Sequence, residues 1–82
     1  MDRIAILTEV LAQNPNDTFA RYGLAMEYSN SGKTEEALQE FAKLLAASPD
    51  YTAGYFMAAQ TLTRVDRIEE ARKMLQNGIA AA

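Results

Sequence analysis

Two prolines, Pro15 and Pro49, stand 34 residues apart, and much of the chain repeats at that same offset. Ala25 is followed by Ala59 and Ala37 by Ala71, and the pair Glu35-Glu36 returns as Glu69-Glu70. Tyr28 meets Leu62, Phe41 meets Leu75, Leu45 meets Ile79 and Lys33 meets Arg67. Chain breaks, small residues and apolar residues agree together, so the period marks an array of one repeated supersecondary unit. A single such unit cannot bury all its apolar surface and must stack on its neighbours. That solution suits 82 residues, a length that supports one small domain with a modest core.

The units are helical. Alanine, leucine, glutamate, lysine and methionine dominate, and no apolar-polar alternation persists. Breaks at Asn14-Pro15-Asn16-Asp17, Ser31-Gly32, Ser48-Pro49-Asp50 and Val65-Asp66 cut the chain into five stretches, each of roughly a dozen residues, a common helix length. Helices are expected over about Arg3 to Gln13, Thr18 to Asn30, Thr34 to Ala47, Thr52 to Arg64 and Arg67 to Ala80. Ile4, Leu7 and Leu11 fall on one face of the first, with Ile6 and Val10 on another. Asp17 or Thr18 can cap the second and Thr34 the third. Gly32 suits a left-handed helix end. The third carries Ala37, Leu38, Phe41, Leu44 and Leu45 at spacings of three and four, and Pro49 stops it. Two antiparallel helices approach closely only where side chains are small, and Ala25 with Ala37, then Ala59 with Ala71, supply such places.

The chain resembles the tetratricopeptide repeat family. The first full unit matches that family's signature at Arg21, Leu24, Ala25, Tyr28, Gly32, Ala37, Phe41 and Pro49, and the second at Tyr55, Ala58, Ala59, Leu62, Asp66, Ala71 and Leu75. The resemblance implies an all-α fold of antiparallel helix-turn-helix repeats stacked in a short right-handed solenoid of about five helices. It divides the chain into a single domain with a partial repeat at 1–15, contributing only its second helix, and full repeats at 16–49 and 50–82, the last lacking its closing proline. Three departures stand out. Arg21 replaces a large apolar residue, so its stem is expected to pack while its head reaches water. Asp66 replaces the turn glycine at a left-handed position that costs of order 1 kcal/mol. Gly78 stands where alanine is common and should loosen the last helix.

In this family the first helix of each unit lines a concave surface that holds a partner protein or peptide. By that correspondence the surface comprises Phe19, Tyr22, Gly23, Met26, Ser29 and Asn30, then Ala53, Phe56, Met57, Gln60, Thr63 and Arg64. Relatives that clamp an acidic C-terminus converge several cationic donors on it. Tyr22, Gly23, Met26, Phe56, Met57 and Gln60 offer none, so a clamp is not expected, although Arg64 remains to orient an acidic group. Aromatics and methionines make the surface apolar and adaptable, suited to an apolar segment such as an amphipathic helix. The plainer alternative is that Phe19, Tyr22 and Phe56 pack within the array.

Other chemistries find no support. The chain has neither cysteine nor histidine, which removes thiolate and imidazole catalysis, and its serines and threonines lack an activating base. The four glycines are isolated, so no phosphate-binding loop exists. Glu35, Glu36 and Glu40 share a helix and read as solvated surface, so neither metal nor cofactor is expected. A net charge of −3, from eight basic and eleven acidic residues, argues against a nucleic-acid partner. No apolar run reaches the ~20 residues that span a bilayer, and Met1-Asp2-Arg3-Ile4 begins no signal peptide. A non-enzymatic, cytoplasmic interaction module without a membrane partner is therefore expected. The alternative is self-assembly: Ile4, Ile6, Leu7 and Val10 at one end and Met74, Leu75 and Ile79 at the other present apolar faces that either meet further helices of a longer protein or join copies in a homo-oligomer.

Overall fold

The computed structural model describes residues 2–82, so Met1 of the expected partial repeat lies outside the described residues. Five α-helices follow one another, α1 (Arg3–Gln13), α2 (Thr18–Asn30), α3 (Thr34–Ala47), α4 (Thr52–Arg64) and α5 (Ile68–Ala81), with no strand among the described residues. The architecture is the expected all-α helical repeat array, and each helix begins and ends within a residue of its expected limit.

The ends of the helices follow from local chemistry. Asp2 and Asp17 cap α1 and α2, their carboxylates accepting from the backbone N–H of Ala5 at 3.2 Å and Ala20 at 3.0 Å. Thr34 does not cap α3; Lys33 holds that position and makes no side-chain bond. Instead Glu35 and Glu36 in the first turn of α3, and Glu69 and Glu70 in that of α5, place negative charge at the positive helix ends.

The 34-residue period is visible in the turns. After Asn14 and after Ser48 the chain makes the same turn, with Asp17 N–H donating to the Asn14 carbonyl at 3.1 Å and Tyr51 N–H to the Ser48 carbonyl at 3.0 Å. Gly32 (φ 77°) and Asp66 (φ 63°) both lie in the left-handed region. Next to them Lys33 N–H donates to the Tyr28 carbonyl and Arg67 N–H to the Leu62 carbonyl, both at 2.9 Å, closing α2 and α4 alike. Asp66 therefore adopts the conformation that its glycine counterpart adopts freely.

Packing is strongest inside two hairpins, α2 with α3 and α4 with α5; α1 lies on α2, and α3 joins the hairpins by lying on α4. Ala25, Ala37, Phe41, Leu44 and Ala58, all at most 1 % exposed, form the central core, with Tyr22, Met26, Tyr28 and Met74 around them. Leu11, Ala20 and Leu24 form the α1–α2 core and Ala59, Leu62 and Ala71 that of the second hairpin. The alanines let the helix axes come together, and the larger residues fill the remaining space. The backbones of α2 and α4 also meet, whereas those of α3 and α5 do not. The stack is thus tighter along α2 and α4, which line its inner side.

Two expectations change. Arg21 does not send its head to water. Its Nη1 donates to Glu40 Oε1 at 2.6 Å and its Nη2 to the Pro15 carbonyl at 3.2 Å. Glu40, expected on the surface, is buried against it, with Lys43 at 3.4 Å on its other oxygen. The reason is that Glu40 lies on the buried stripe of Ala37, Phe41 and Leu44, where only a paired charge is tolerated. One period later Tyr55 replaces Arg21 and Met74 replaces Glu40, and the Tyr55 hydroxyl donates to the Pro49 carbonyl at 2.6 Å. Guanidinium and phenol thus serve equivalent proline carbonyls. Gly78 stands inside the last helix, which runs through it to Ala81. It is buried, and a Cβ added there would lie 2.8 Å from Tyr55 Cβ.

Removing one member of the ion pair leaves a buried charge, a change that typically costs about 3 kcal/mol. Arg21→Met should therefore lower the urea midpoint strongly, whereas Arg21→Tyr with Glu40→Met, which copies the second hairpin at these two positions, should recover most of it. Equal losses in the single and double variants would contradict the equivalence.

Candidate partner-binding surface

The inner side is built from α2 and α4, which run parallel. Tyr22 near the start of α2 meets Tyr51 just before α4, with ring centroids 5.4 Å apart and planes at 48°. At the other end Ser29 Oγ lies 2.7 Å from Thr61 Oγ1, and Arg64 Nη1 reaches Ser29 Oγ at 3.4 Å and Asn30 Oδ1 at 3.5 Å. One end of the surface is therefore aromatic and the other is polar.

The expected surface residues divide by position. Phe19 is 79 % exposed and Phe56 41 %, both large for phenylalanine, and Asn30, Gln60, Thr63 and Arg64 are exposed as well. Tyr22 and Met26 are half-buried and pack on the central core. Burial, with Tyr51 as the second cause, raises the Tyr22 hydroxyl above the ordinary tyrosine pKa. Gly23 faces α1, where a Cβ would touch Leu7 at 3.5 Å, and Met57 joins the core. Thr63 turns its hydroxyl back to the Ala59 carbonyl at 2.9 Å.

The period explains this division. Tyr22, Ser29 and Asn30 each meet α4 or the turn leading into it. Their counterparts Phe56, Thr63 and Arg64 stand 34 residues later, on the last inner helix among the described residues. Tyr22 and Ser29 are half-buried where Phe56 and Thr63 are exposed, and Asn30, exposed like Arg64, meets α4 only through Arg64. Arg64 has no acidic side chain within ion-pair distance among the described residues, so its charge is held only by neutral oxygens.

Sequence reasoning missed the Arg21–Glu40 pair, although a signal existed: two opposite charges occupied facing apolar stripes. It also missed a cleft of about 290 Å³ between α3 and α5, floored by Phe41 and Leu62. That cleft arises from the spacing of two helices whose backbones do not meet, which no local pattern encodes. Among the described residues no group of three acidic, histidine or cysteine side chains is placed to hold a metal, and no helix is long and apolar enough to cross a membrane.

Comparison with known proteins agrees with this architecture. Two models described as tetratricopeptide repeat match residues 30–82 and 6–39. The TPR repeat-containing protein PA0015 of Pseudomonas aeruginosa is 25% identical over 76 residues, 93% of this chain and 72% of that protein. The uncharacterized protein MJ0572 of Methanocaldococcus jannaschii is 36% identical over 59 residues, 72% of this chain and 69% of that protein. Among solved structures, YrrB, a TPR protein with an unusual peptide-binding site, superposes with a TM-score of 0.90 at 29% identity, over 95% of this chain. MamA superposes with a TM-score of 0.88 at 20% identity, also over 95% of this chain, and shares the fold. This chain spans 40% of the YrrB chain and 46% of the MamA chain.

The packing separates structural from accessible aromatics. Truncating half-buried Tyr22 to alanine should cost about 2 kcal/mol, whereas Phe19→Ala should stay within about 0.5 kcal/mol of the parent. Urea titration followed by circular dichroism measures both, and equal losses would contradict the placement of Phe19.

Proposed function

The chain belongs to the tetratricopeptide repeat family, a fold of protein-interaction modules, and we propose that it holds an apolar segment of a partner protein against the inner side formed by α2 and α4. In this reading 16–49 and 50–82 are full units and 1–15 is the second helix of a partial one. The observation that carries it is the exposure of Phe19 and Phe56 on that side. Phe19 is almost wholly exposed, and Phe56, whose ring edge lies near Gly78 of α5, still leaves 41 % of its surface open; exposed aromatic surface is the kind that contact sites use. The peptide-binding site of YrrB, a structure with 29% identity to this chain, supports the same class of role. Arg64 and Asn30 give the polar end a means of orienting the segment, and no step of chemistry is involved.

A second reading is favoured by the ends of the stack, where Ile6, Val10, Leu75 and Ile79 are exposed, Ile79 at 68 %. Copies joined through these faces would form a homo-oligomer. Sedimentation velocity over a concentration series separates the two readings: a constant monomer mass removes the second, and a mass that grows with concentration and is lost in Ile79→Lys supports it.

The first reading is tested by partner capture with the Phe19→Ala, Phe56→Ala double variant. Truncation of aromatic anchors typically costs 2 kcal/mol or more, so affinity should fall by about 30-fold or more, in a variant that circular dichroism shows to be still folded. Undiminished capture would overturn the assignment of the inner side.

A further inference from the structure

α1 packs on α2 much as α3 packs on α4 one period later, but the two helices differ in what covers their other side. In α3 that side meets α2: Arg21 holds Glu40, and Glu40 and Leu44 are only 8 % and 1 % exposed. In α5 it meets α4, where a Cβ added at Gly78 would lie 2.8 Å from Tyr55 Cβ. Ile6 and Val10 of α1 stand 34 residues before Glu40 and Leu44, yet they are 43 % and 37 % exposed. Two apolar side chains thus lie open at places where both later helices are covered by the helix that precedes them.

We propose that this face of α1 docks one amphipathic helix of a partner protein, seated as α2 sits on α3 and α4 on α5. The molecule itself shows what covers such a face, since packing is strongest inside the hairpins and this is the hairpin side. A folded second copy has no such helix free, because its α2 and α4 are each enclosed in a hairpin with Ala25 and Ala59 buried. The inner side takes no part, so the site goes beyond both readings above. Chemistry at the crossing narrows the partner helix. Arg21 and Tyr55 hold equivalent places on α2 and α4, the first answered by the Glu40 carboxylate and the second lying against buried Gly78. Ile6 offers no carboxylate, so the partner helix carries a large apolar or phenolic residue there and neither lysine nor arginine. Four residues on, at the place of Ala25 and Ala59, it carries a small residue that lets the axes approach. Arg3, which stands where α3 has Ala37, sends its head to the α2 side, 3.7 Å from Glu27.

The test is heteronuclear NMR on the full chain titrated with a synthetic peptide of its own residues 50–66, which carries α4 with Tyr55 at the crossing. Resonances of Ile6 and Val10 should move while those of Phe19, Phe56, Leu75 and Ile79 stay. A second peptide with Tyr55→Arg should bind about tenfold more weakly, since its guanidinium meets no carboxylate. Ile6→Glu in the chain, at an exposed position, should reverse that order. It recreates the Arg21–Glu40 pair between two molecules, so the arginine peptide should return to within about threefold of the original affinity. Where circular dichroism shows that Ile6→Glu loses helix, the ranking of the two peptides on the parent chain decides. Four results would overturn the proposal: silence at Ile6 and Val10, changes confined to the inner side or to α5, equal affinity for both peptides, or a folded Ile6→Glu chain that fails to recover the arginine peptide. Shifts of Ile6 and Val10 with protein concentration alone would put a second copy there and overturn it equally.

Discussion

Every layer of this structure rests on helices approaching one another where side chains are smallest. Ala25 and Ala37 are fully buried, and Ala59 and Ala71 nearly so one period later. Burying a methyl group contributes little by itself. Its value is that it brings two backbones near enough for Phe41, Leu44 and Leu62 to be enclosed on several sides. The same close contact sets the order of the array: strongest within each hairpin, weaker between hairpins, with α3 and α5 left apart. The tighter inner side displays α2 and α4, and the looser outer side leaves a cleft between α3 and α5.

The period conserves geometry more faithfully than chemistry. Arg21 and Tyr55 share neither charge nor shape, yet both donate to a proline carbonyl six residues earlier. Once Arg21 is chosen, Glu40 has to answer it, because a lone guanidinium amid Ala37, Phe41 and Leu44 would be stranded. Once Tyr55 is chosen, Met74 takes that place, and Gly78, where the first hairpin has Leu44, lies against the Tyr55 side chain. Each hairpin is a consistent local solution to one backbone plan.

The parts legible in the sequence were those carried by residue class at a fixed spacing. Pro15 and Pro49, the alanine pairs and Gly32 located all five helices and both left-handed turns, Asp66 included. What could not be read was how one residue spends its side chain between neighbours. Thr34 looked like a cap, but the chain enters α3 through Lys33. Tyr22 and Phe56 carry the same pattern position, and the core and Tyr51 pack against Tyr22 while Phe56 keeps 41 % of its surface exposed. Glu40 appeared to belong with its acidic neighbours until α2 supplied Arg21. Such outcomes depend on which element lies opposite, and that information is tertiary.

The most direct test of the central claim is the stability of Gly78→Ala, followed by urea denaturation. Local helix propensity predicts a gain of about 1 kcal/mol. Close packing predicts the opposite sign, because the added Cβ would meet Tyr55 Cβ at 2.8 Å, and overpacking of this kind costs about 1–3 kcal/mol. A lower denaturation midpoint with an unchanged slope is the predicted result; a higher midpoint would contradict it.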